Sequence, residues 1–77
     1  MLYKQTYEDD TYVDYERELI SFPDEGNTSI DCRITLDKEE KKAWASIVRH
    51  NNDGDTSELL DIPLTFEDAE AMAKDEG

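Results

Sequence analysis

The sequence is poor in the residues that most enzymes and cofactor sites need. It has one cysteine, one histidine and three glycines in 77 residues. The lone histidine, His50, has no serine or cysteine motif beside it that could form a nucleophile and base pair. One cysteine and one histidine are too few for a zinc site, and three glycines provide no phosphate-cradling loop. These shortages predict a protein that is not an enzyme and that carries no cofactor.

Long apolar runs are also missing. No stretch reaches the length of a signal peptide or a membrane span, and the single cysteine, Cys32, excludes a disulfide within the chain. Both absences predict a cytoplasmic location. Cys32 falls on the apolar face of a predicted strand, so we expect a small buried residue rather than a reactive thiol. We expect His50 to be exposed at the end of a strand.

Acidic residues are in large excess over basic residues. There are 21 Asp and Glu residues against eight Lys and Arg, which gives a net charge of −13. Residues 1–25 hold eight acids and two bases (net −6), residues 26–50 four acids and five bases (net +1), and residues 51–77 nine acids and one base (net −8). Such a field repels nucleic acid and anionic membranes and speeds encounter with basic surfaces. The predicted partner is therefore a basic protein that itself holds nucleic acid.

Hydrophobic periodicity predicts strands in the middle and second half of the chain. Residues 29–36 alternate strictly between apolar and polar, and residues 43–49 carry Trp44, Ile47 and Val48 as a second strand. The Asp53-Gly54 step predicts a tight turn before a third strand over residues 57–64. In that strand, one face is predicted to carry Leu60, Ile62 and Leu64. The opposite face is predicted to carry Leu59, Asp61 and Pro63. Because proline cannot donate to a ladder, this strand is predicted to be at an edge or to end there.

The two ends of the chain complete the predicted fold. Residues 12–22 fit both a strand and a helix; their Tyr, Val and Ile content favours a strand paired with residues 2–7. Thr65 and Asp68 resemble a capping box for a C-terminal helix. The apolar stripe predicted for that helix is Phe66, Ala69, Met72 and Ala73. At 77 residues the chain is predicted to be one α+β domain over residues 1–77, an antiparallel meander of four to five strands with one short helix packed on it.

The acids offer a candidate partner-binding surface. As a strand, residues 12–22 would project Asp14, Glu16 and Glu18 from one face at a repeat of about 6.8 Å, comparable to phosphate spacing along a nucleic-acid strand. Tyrosine mixed with carboxylate suits an interface. The predicted partner-binding residues are Tyr7, Asp9, Asp10, Tyr12, Asp14, Glu16, Glu18, Glu67, Asp68 and Glu70. The alternative is that Tyr3, Tyr7 and Tyr15 simply cover a small core.

Size, acidity, a meander with one helix and no catalytic or export signal together resemble phage- or plasmid-borne inhibitors of bacterial defence nucleases, of the anti-CRISPR and anti-restriction type. The resemblance lies in composition and layout, without a diagnostic motif. It implies a non-enzymatic nucleic-acid mimic in a bacterial host's cytoplasm, as a monomer or homodimer, that binds a nuclease or its complex rather than nucleic acid or membrane. The alternatives are a solvated acidic accessory domain that binds an unrelated protein, and a weak carboxylate calcium site at the Asp53 turn.

Overall fold

The computed structural model describes residues 3–74. Five strands pair with their neighbours in chain order, and every pair is antiparallel. The elements are β1 Lys4–Glu8, β2 Tyr12–Phe22, β3 Thr28–Asp37, β4 Lys42–His50, β5 Thr56–Thr65 and helix α1 Phe66–Ala73, with one turn of 3₁₀ helix at Pro23–Glu25 between β2 and β3. The predicted α+β meander with one C-terminal helix is confirmed.

Residues 12–22 form a strand and not a helix. In the extended form Val13 lies opposite Leu36 and Tyr15 lies opposite Ile34, so both apolar side chains reach the same side of the sheet. β3 pairs with β2 from Tyr12 to Phe22 and β1 pairs with residues 13–16, and this pairing satisfies backbone groups of β2, which is why the strand interpretation prevails.

One side of the sheet, the core face, is covered by α1. The buried apolar cluster consists of Tyr3, Val13, Cys32, Ile34, Leu36, Ala43, Ala45, Ala69 and Ala73. Ile34 at the centre of β3 and the helix alanines Ala69 and Ala73 are fully buried. Alanines on β4 and on α1 let the helix approach the sheet closely, because neither side of that contact has a long side chain. The core is correspondingly small.

The first turn of α1 is capped as the sequence predicts. The hydroxyl of Thr65 accepts a hydrogen bond from the backbone N–H of Asp68 at 3.2 Å, and the acids of this turn suit the positive end of the helix dipole. Ala69 and Ala73 face the sheet, and Phe66 is half-buried. Met72 is 40% exposed, so the predicted apolar stripe is wrong at that position.

The predicted Asp53-Gly54 turn joins β4 to β5. Gly54 has φ 93°, a left-handed value that glycine adopts without strain, and its N–H donates to the Asn51 carbonyl at 3.0 Å. The neighbouring Asn52 reaches across to the β2–β3 connection, where its side-chain oxygen accepts from the Asn27 N–H at 3.1 Å. The two loops are thereby tied together at one end of the sheet.

β-Bulges in both edge strands shift which side chains face which way. In β1, Gln5 pairs with Tyr15 and Tyr7 pairs with Asp14, which leaves Thr6 as the extra residue. An extra residue reverses the alternation beyond it. Tyr7 is therefore on the opposite face from Tyr3, instead of beside it.

The bulge in β5 has a similar consequence. Ile47 pairs with Leu60 and Val48 pairs with Glu58, which leaves Leu59 as the extra residue. Glu58 thus shares a face with Asp61, and the alternation predicted for residues 57–64 is wrong before Leu60. β5 is an edge strand in the described part of the chain, in keeping with the proline it contains. Over residues 3–74 no helix is both long and apolar enough to cross a membrane.

Candidate functional site

The side of the sheet opposite α1 gathers acids from three strands, β2, β3 and β5. We call it the carboxylate face. Cross-strand register places on it the carboxylates of Asp14, Glu16, Glu18, Asp31, Glu58 and Asp61. The cations that share this face are Lys4, Arg33 and Lys42. Acids therefore outnumber bases on a surface that the helix leaves open.

A groove runs across the middle of this face. It has a volume of about 510 Å³ and is lined by Tyr7, Tyr12, Asp14, Arg33, Thr35, Trp44, Ser46, Glu58 and Asp61. We call it the aromatic groove. The rings of Tyr12 and Trp44 meet edge to face, with centroids 6.4 Å apart and planes at 70°. The groove therefore combines π faces with carboxylates in one open depression.

The two edge-strand bulges supply part of the groove lining. Without the extra residue in β1, Tyr7 would alternate onto the core face with Tyr3. Without the extra residue in β5, Leu59 would take the position that Glu58 occupies beside Asp61. Bulges are a recurring means of re-aiming a side chain toward a functional surface. Here they add one phenol ring and one carboxylate to the aromatic groove.

Asp14, on the β2 side of the groove, is the predicted site residue with the most unusual environment. Its carboxylate is half-buried, and its Oδ1 atom is buried without a hydrogen-bond partner in the described structure. Buried acceptors are normally paired, because leaving one unpaired costs free energy. The oxygen is therefore a buried acceptor without a donor at the side of the groove.

Two carboxylates compete for one hydroxyl on the β5 side. Ser46 is 2% exposed, and its Oγ lies 3.0 Å from Glu58 Oε1 and 2.8 Å from Asp61 Oδ1. A hydroxyl has one proton and can donate to only one of them. Hydrogen bonding with Glu58, and to a lesser extent with Ser46, holds the pKa of Asp61 below its ordinary value. Glu58 and Asp61 therefore both direct a carboxylate oxygen at the one Ser46 hydroxyl.

Glu16 has a different role from the one that strand spacing predicts. Its side chain is 15% exposed, with Oε2 3.4 Å from Arg33 Nε and Oε1 2.9 Å from His50 Nε2. The Arg33 contact is an ion pair whose geometry makes no hydrogen bond, since Nε has no bonding partner. The expectation of an exposed His50 is wrong: it is half-buried, because Glu16 and Thr56 hold its two ring nitrogens.

Glu16 and His50 belong to a cluster that also contains Asp31. Asp31 Oδ2 lies 3.6 Å from His50 Nε2, and the three ligand atoms are within 4.8 Å of one another, a separation that could accommodate a metal ion. Among residues 3–74 it is the only such group of three, and it does not include the Asp53 turn. Asp31 Oδ1 also accepts from Ser29 at 2.8 Å. Hydrogen bonds and ion pairs within the chain therefore account for this cluster without a metal.

The turn between β1 and β2 uses Asp9 structurally. Its Oδ1 accepts from the backbone N–H groups of Thr11 and Tyr12 at 2.8 and 2.7 Å, and its Oδ2 accepts from the Tyr7 hydroxyl at 2.6 Å. The Tyr7 hydrogen bond is the main cause that lowers the pKa of Asp9 and raises the pKa of Tyr7. Asp10 is exposed on the same turn. Asp9 thus holds the Tyr7 ring at the groove edge.

The helix acids lie apart from the groove. Glu67 and Asp68 are exposed in the first turn of α1, and Glu70 lies 3.5 Å from Lys74 through its Oε2 atom. The helix covers the core face, so these three carboxylates are separated from the carboxylate face by the thickness of the sheet. The structure therefore brings together Tyr7, Tyr12, Asp14, Glu16 and Glu18 from the predicted set, and leaves the helix acids on the other side.

The four tyrosines divide between the two faces. Tyr3 is 7% exposed and its hydroxyl donates to the buried Cys32 sulfur at 3.4 Å; this confirms Cys32 as a buried residue. Tyr15 packs partly buried against the same core. Tyr7 and Tyr12 are 51% and 40% exposed. Two tyrosines thus serve the core, and two line the groove.

Sequence reasoning missed the part of the groove that β3, β4 and β5 contribute. The missed residues are Arg33, Thr35, Trp44, Ser46, Glu58 and Asp61. A signal existed for Asp61, which alternates away from Leu60 and Ile62 and so had to face away from the core. No local signal existed for Glu58, whose direction depends on the bulge. No family model matches the chain, and neither a curated protein nor a solved structure matches it.

Proposed function

We propose that the protein is a non-enzymatic acidic binding protein whose carboxylate face occupies a basic, nucleic-acid-binding surface of a partner protein. The observation that carries the proposal is the set of unneutralised acids on that face. None of the ion pairs found within residues 3–74 includes Asp14, Glu18, Glu58 or Asp61. A surface with carboxylates to spare attracts cations from outside the chain.

The whole-chain charge supports the same class of partner. A net charge of −13 produces a long-range field that steers basic surfaces toward the protein and repels polyanions. Basic surfaces of that strength are common on proteins that hold phosphate backbones. The resemblance to inhibitors of bacterial defence nucleases agrees with this, and we propose a nuclease of that kind, or its complex, as the partner.

The mode of mimicry differs from a simple row of phosphate analogues. Glu16 is turned to Arg33 and His50, so the acids of β2 do not present three equivalent free charges. Charge is instead offered as a patch in which carboxylates alternate with aromatic rings. Such a patch can bury aromatic surface and neutralise cations in one contact, which a row of carboxylates alone cannot do.

A retention experiment tests the proposal. The immobilised protein is exposed to nuclease-treated bacterial lysate at low salt, and retained proteins are identified after elution with high salt. We expect the retained proteins to include a nucleic-acid-binding protein. We also expect duplex DNA or RNA to displace that protein from the resin. Retained proteins that nucleic acid does not displace would contradict the proposal, because their contact would not be the nucleic-acid surface.

Matched variants locate the contact. The double variant Glu58→Gln with Asp61→Asn removes two charges from the carboxylate face, while its amide oxygens can still accept from Ser46. The control, Asp24→Asn with Glu25→Gln, removes two charges from the exposed 3₁₀ turn. We expect the first pair to lose retention and the second to keep it. Equal behaviour of the two pairs would show that net charge alone, and not this face, governs binding.

A further inference from the structure

We infer that the aromatic groove is a recognition site for arginine, built to hold two guanidinium groups of a basic partner segment, one at each side. The inference rests on the proposed function and specifies the chemistry of the same face. Its physical basis is that the groove contains hydrogen-bond acceptors and negative charges that no group of the described chain satisfies.

The β2 side of the groove supplies the first unmet acceptor. Asp14 Oδ1 is buried and has no hydrogen-bond partner, although Arg33, the cationic residue of the groove lining, lies on the adjacent strand. Arg33 is directed to Glu16 instead, 3.4 Å from its Oε2 atom. An unpaired acceptor at the wall of an open groove is what a bound donor would complete.

The β5 side supplies the second. Ser46 Oγ contacts both Glu58 and Asp61 but can donate to one. The oxygen of the other carboxylate therefore faces a lone pair of the same hydroxyl. A guanidinium between the two acids would remove this conflict, because its N–H groups can donate to both at once. This second unmet position does not depend on the first, since the residues come from different strands.

The aromatic rings favour guanidinium over ammonium. Trp44 and Tyr12 meet near a right angle, and Tyr7 adds a third ring at the β1 side of the groove. A guanidinium group is planar, weakly hydrated and able to stack on a ring while its edge donates to carboxylates. A lysine ammonium is a compact, strongly hydrated point charge that gains less from this combination. Rings beside carboxylates therefore suit arginine.

The width of the groove determines how many arginine side chains are needed to reach both of its sides. Asp14 lies on β2 and Asp61 on β5, three strand spacings apart, which is about 14 Å. One guanidinium cannot bridge that distance. In an extended peptide the first and fifth residues lie about 14 Å apart and point to the same side. A pentapeptide with arginine at both ends can therefore address both sides of the groove.

Trp44, the one tryptophan in the chain, reports on the groove directly. A pentapeptide with two terminal arginines and three alanines is titrated into the protein at low salt while tryptophan emission is followed. We expect saturable binding that is several-fold tighter than for the lysine analogue. The citrulline analogue, which keeps the shape but lacks the charge, should not bind. Equal affinity for the lysine analogue, or binding of the citrulline analogue, would overturn the assignment.

Single variants test the side at Asp14. Asp14→Asn removes the unpaired charge, and Glu39→Gln removes one exposed charge from the β3–β4 turn. We expect Asp14→Asn to weaken the arginine peptide about tenfold, the equivalent of one charge-assisted hydrogen bond, without lowering the urea midpoint. Glu39→Gln should leave affinity nearly unchanged. Equal affinity for the two variants would contradict the placement of a guanidinium at Asp14.

Failure of this inference can be told from failure of the proposed function. If the peptide does not discriminate arginine but partner retention still depends on Glu58 and Asp61, the acidic face binds by general charge and the arginine assignment is wrong. If the peptide does not discriminate arginine and no nucleic-acid-binding protein is retained, both the arginine assignment and the proposed function are wrong. Peptide discrimination without retention of any nucleic-acid-binding protein would support the groove chemistry and contradict the proposed partner class.

Discussion

The carboxylates of β2 should differ sharply in what they do for stability. Glu16 is 15% exposed and contacts Arg33 and His50, whereas Glu18 is exposed and lies opposite Asp31, an acid of the same sign. The substitutions Glu16→Gln and Glu18→Gln each remove one charge and change the side-chain shape little. They are therefore a matched pair within one strand and one face.

The structure gives the expected magnitudes. Hydrogen bonds to charged groups contribute about 1.5–3 kcal/mol each, and glutamine keeps a neutral acceptor, so Glu16→Gln should cost about 1–3 kcal/mol of unfolding free energy. Glu18→Gln should change it by less than about 0.5 kcal/mol, with relief of the repulsion from Asp31 as a small gain. With a total stability of about 4–12 kcal/mol for a chain of this length, the first effect is large.

Urea unfolding, followed by Trp44 fluorescence and by circular dichroism, measures both. A small domain loses about 1 kcal/mol per molar urea, so Glu16→Gln should lower the midpoint by about 1–3 M. A double-mutant cycle with Arg33→Gln should show that the arginine matters less once Glu16 is neutral. Equal midpoints for Glu16→Gln and Glu18→Gln would refute the conclusion that Glu16 is held inside the protein while Glu18 is free.

Three further outcomes test the fold. Ile34 and Ile62 flank the same β4 residue on the core face but are 0% and 43% exposed. In urea unfolding, Ile34→Ala should lower the free energy of unfolding by about 2–5 kcal/mol and Ile62→Ala by about 1 kcal/mol or less. Equal losses for the two variants would contradict the packing. Burial raises the pKa of Tyr3 to about 12, so the protonated phenol is favoured in the folded state. Its contribution to the free energy of unfolding should be fully present below pH 10 and should fall as pH rises from 10 to 12. Tyr3→Phe should remove part of that fall when unfolding is followed at successive pH values. Gly26 has φ 75°, and a Cβ there would overlap Asn52 Oδ1, the atom that ties the two loops together. Gly26→Ala should therefore lower the urea midpoint, and an unchanged midpoint would show that the two loops are not tied together.

Much of the fold is predictable because its signals are local. Residues 29–36 alternate strictly, which requires one buried and one polar face, and the structure extends this strand by one residue at each end. Thr65 caps α1 because its hydroxyl and the Asp68 N–H are three residues apart. Asp53-Gly54 turns the chain because glycine accepts the left-handed backbone there. Each of these depends on neighbours within a few residues.

The candidate site was predictable only in part. The acids and tyrosines of β2 were recognised from strand periodicity, and the structure places Tyr12 and Asp14 in the groove. Their partners were not recognised, since Glu16 meets His50 across 34 positions of sequence. No pattern within a short window shows which acid is paired with a cation and which is free. That distinction separates a structural carboxylate from one available to a partner.

The sequence by itself determined the sign of the field, the strands from residue 29 onward and the C-terminal helix, because each follows from composition or from periodicity along a short stretch. Only the tertiary structure decided where the site lies. One extra residue in β1 and one in β5 direct Tyr7 and Glu58 across to the carboxylate face. The physical reason is that a bulge is fixed by the register between two strands, which depends on contacts between distant residues rather than on the pattern within either strand.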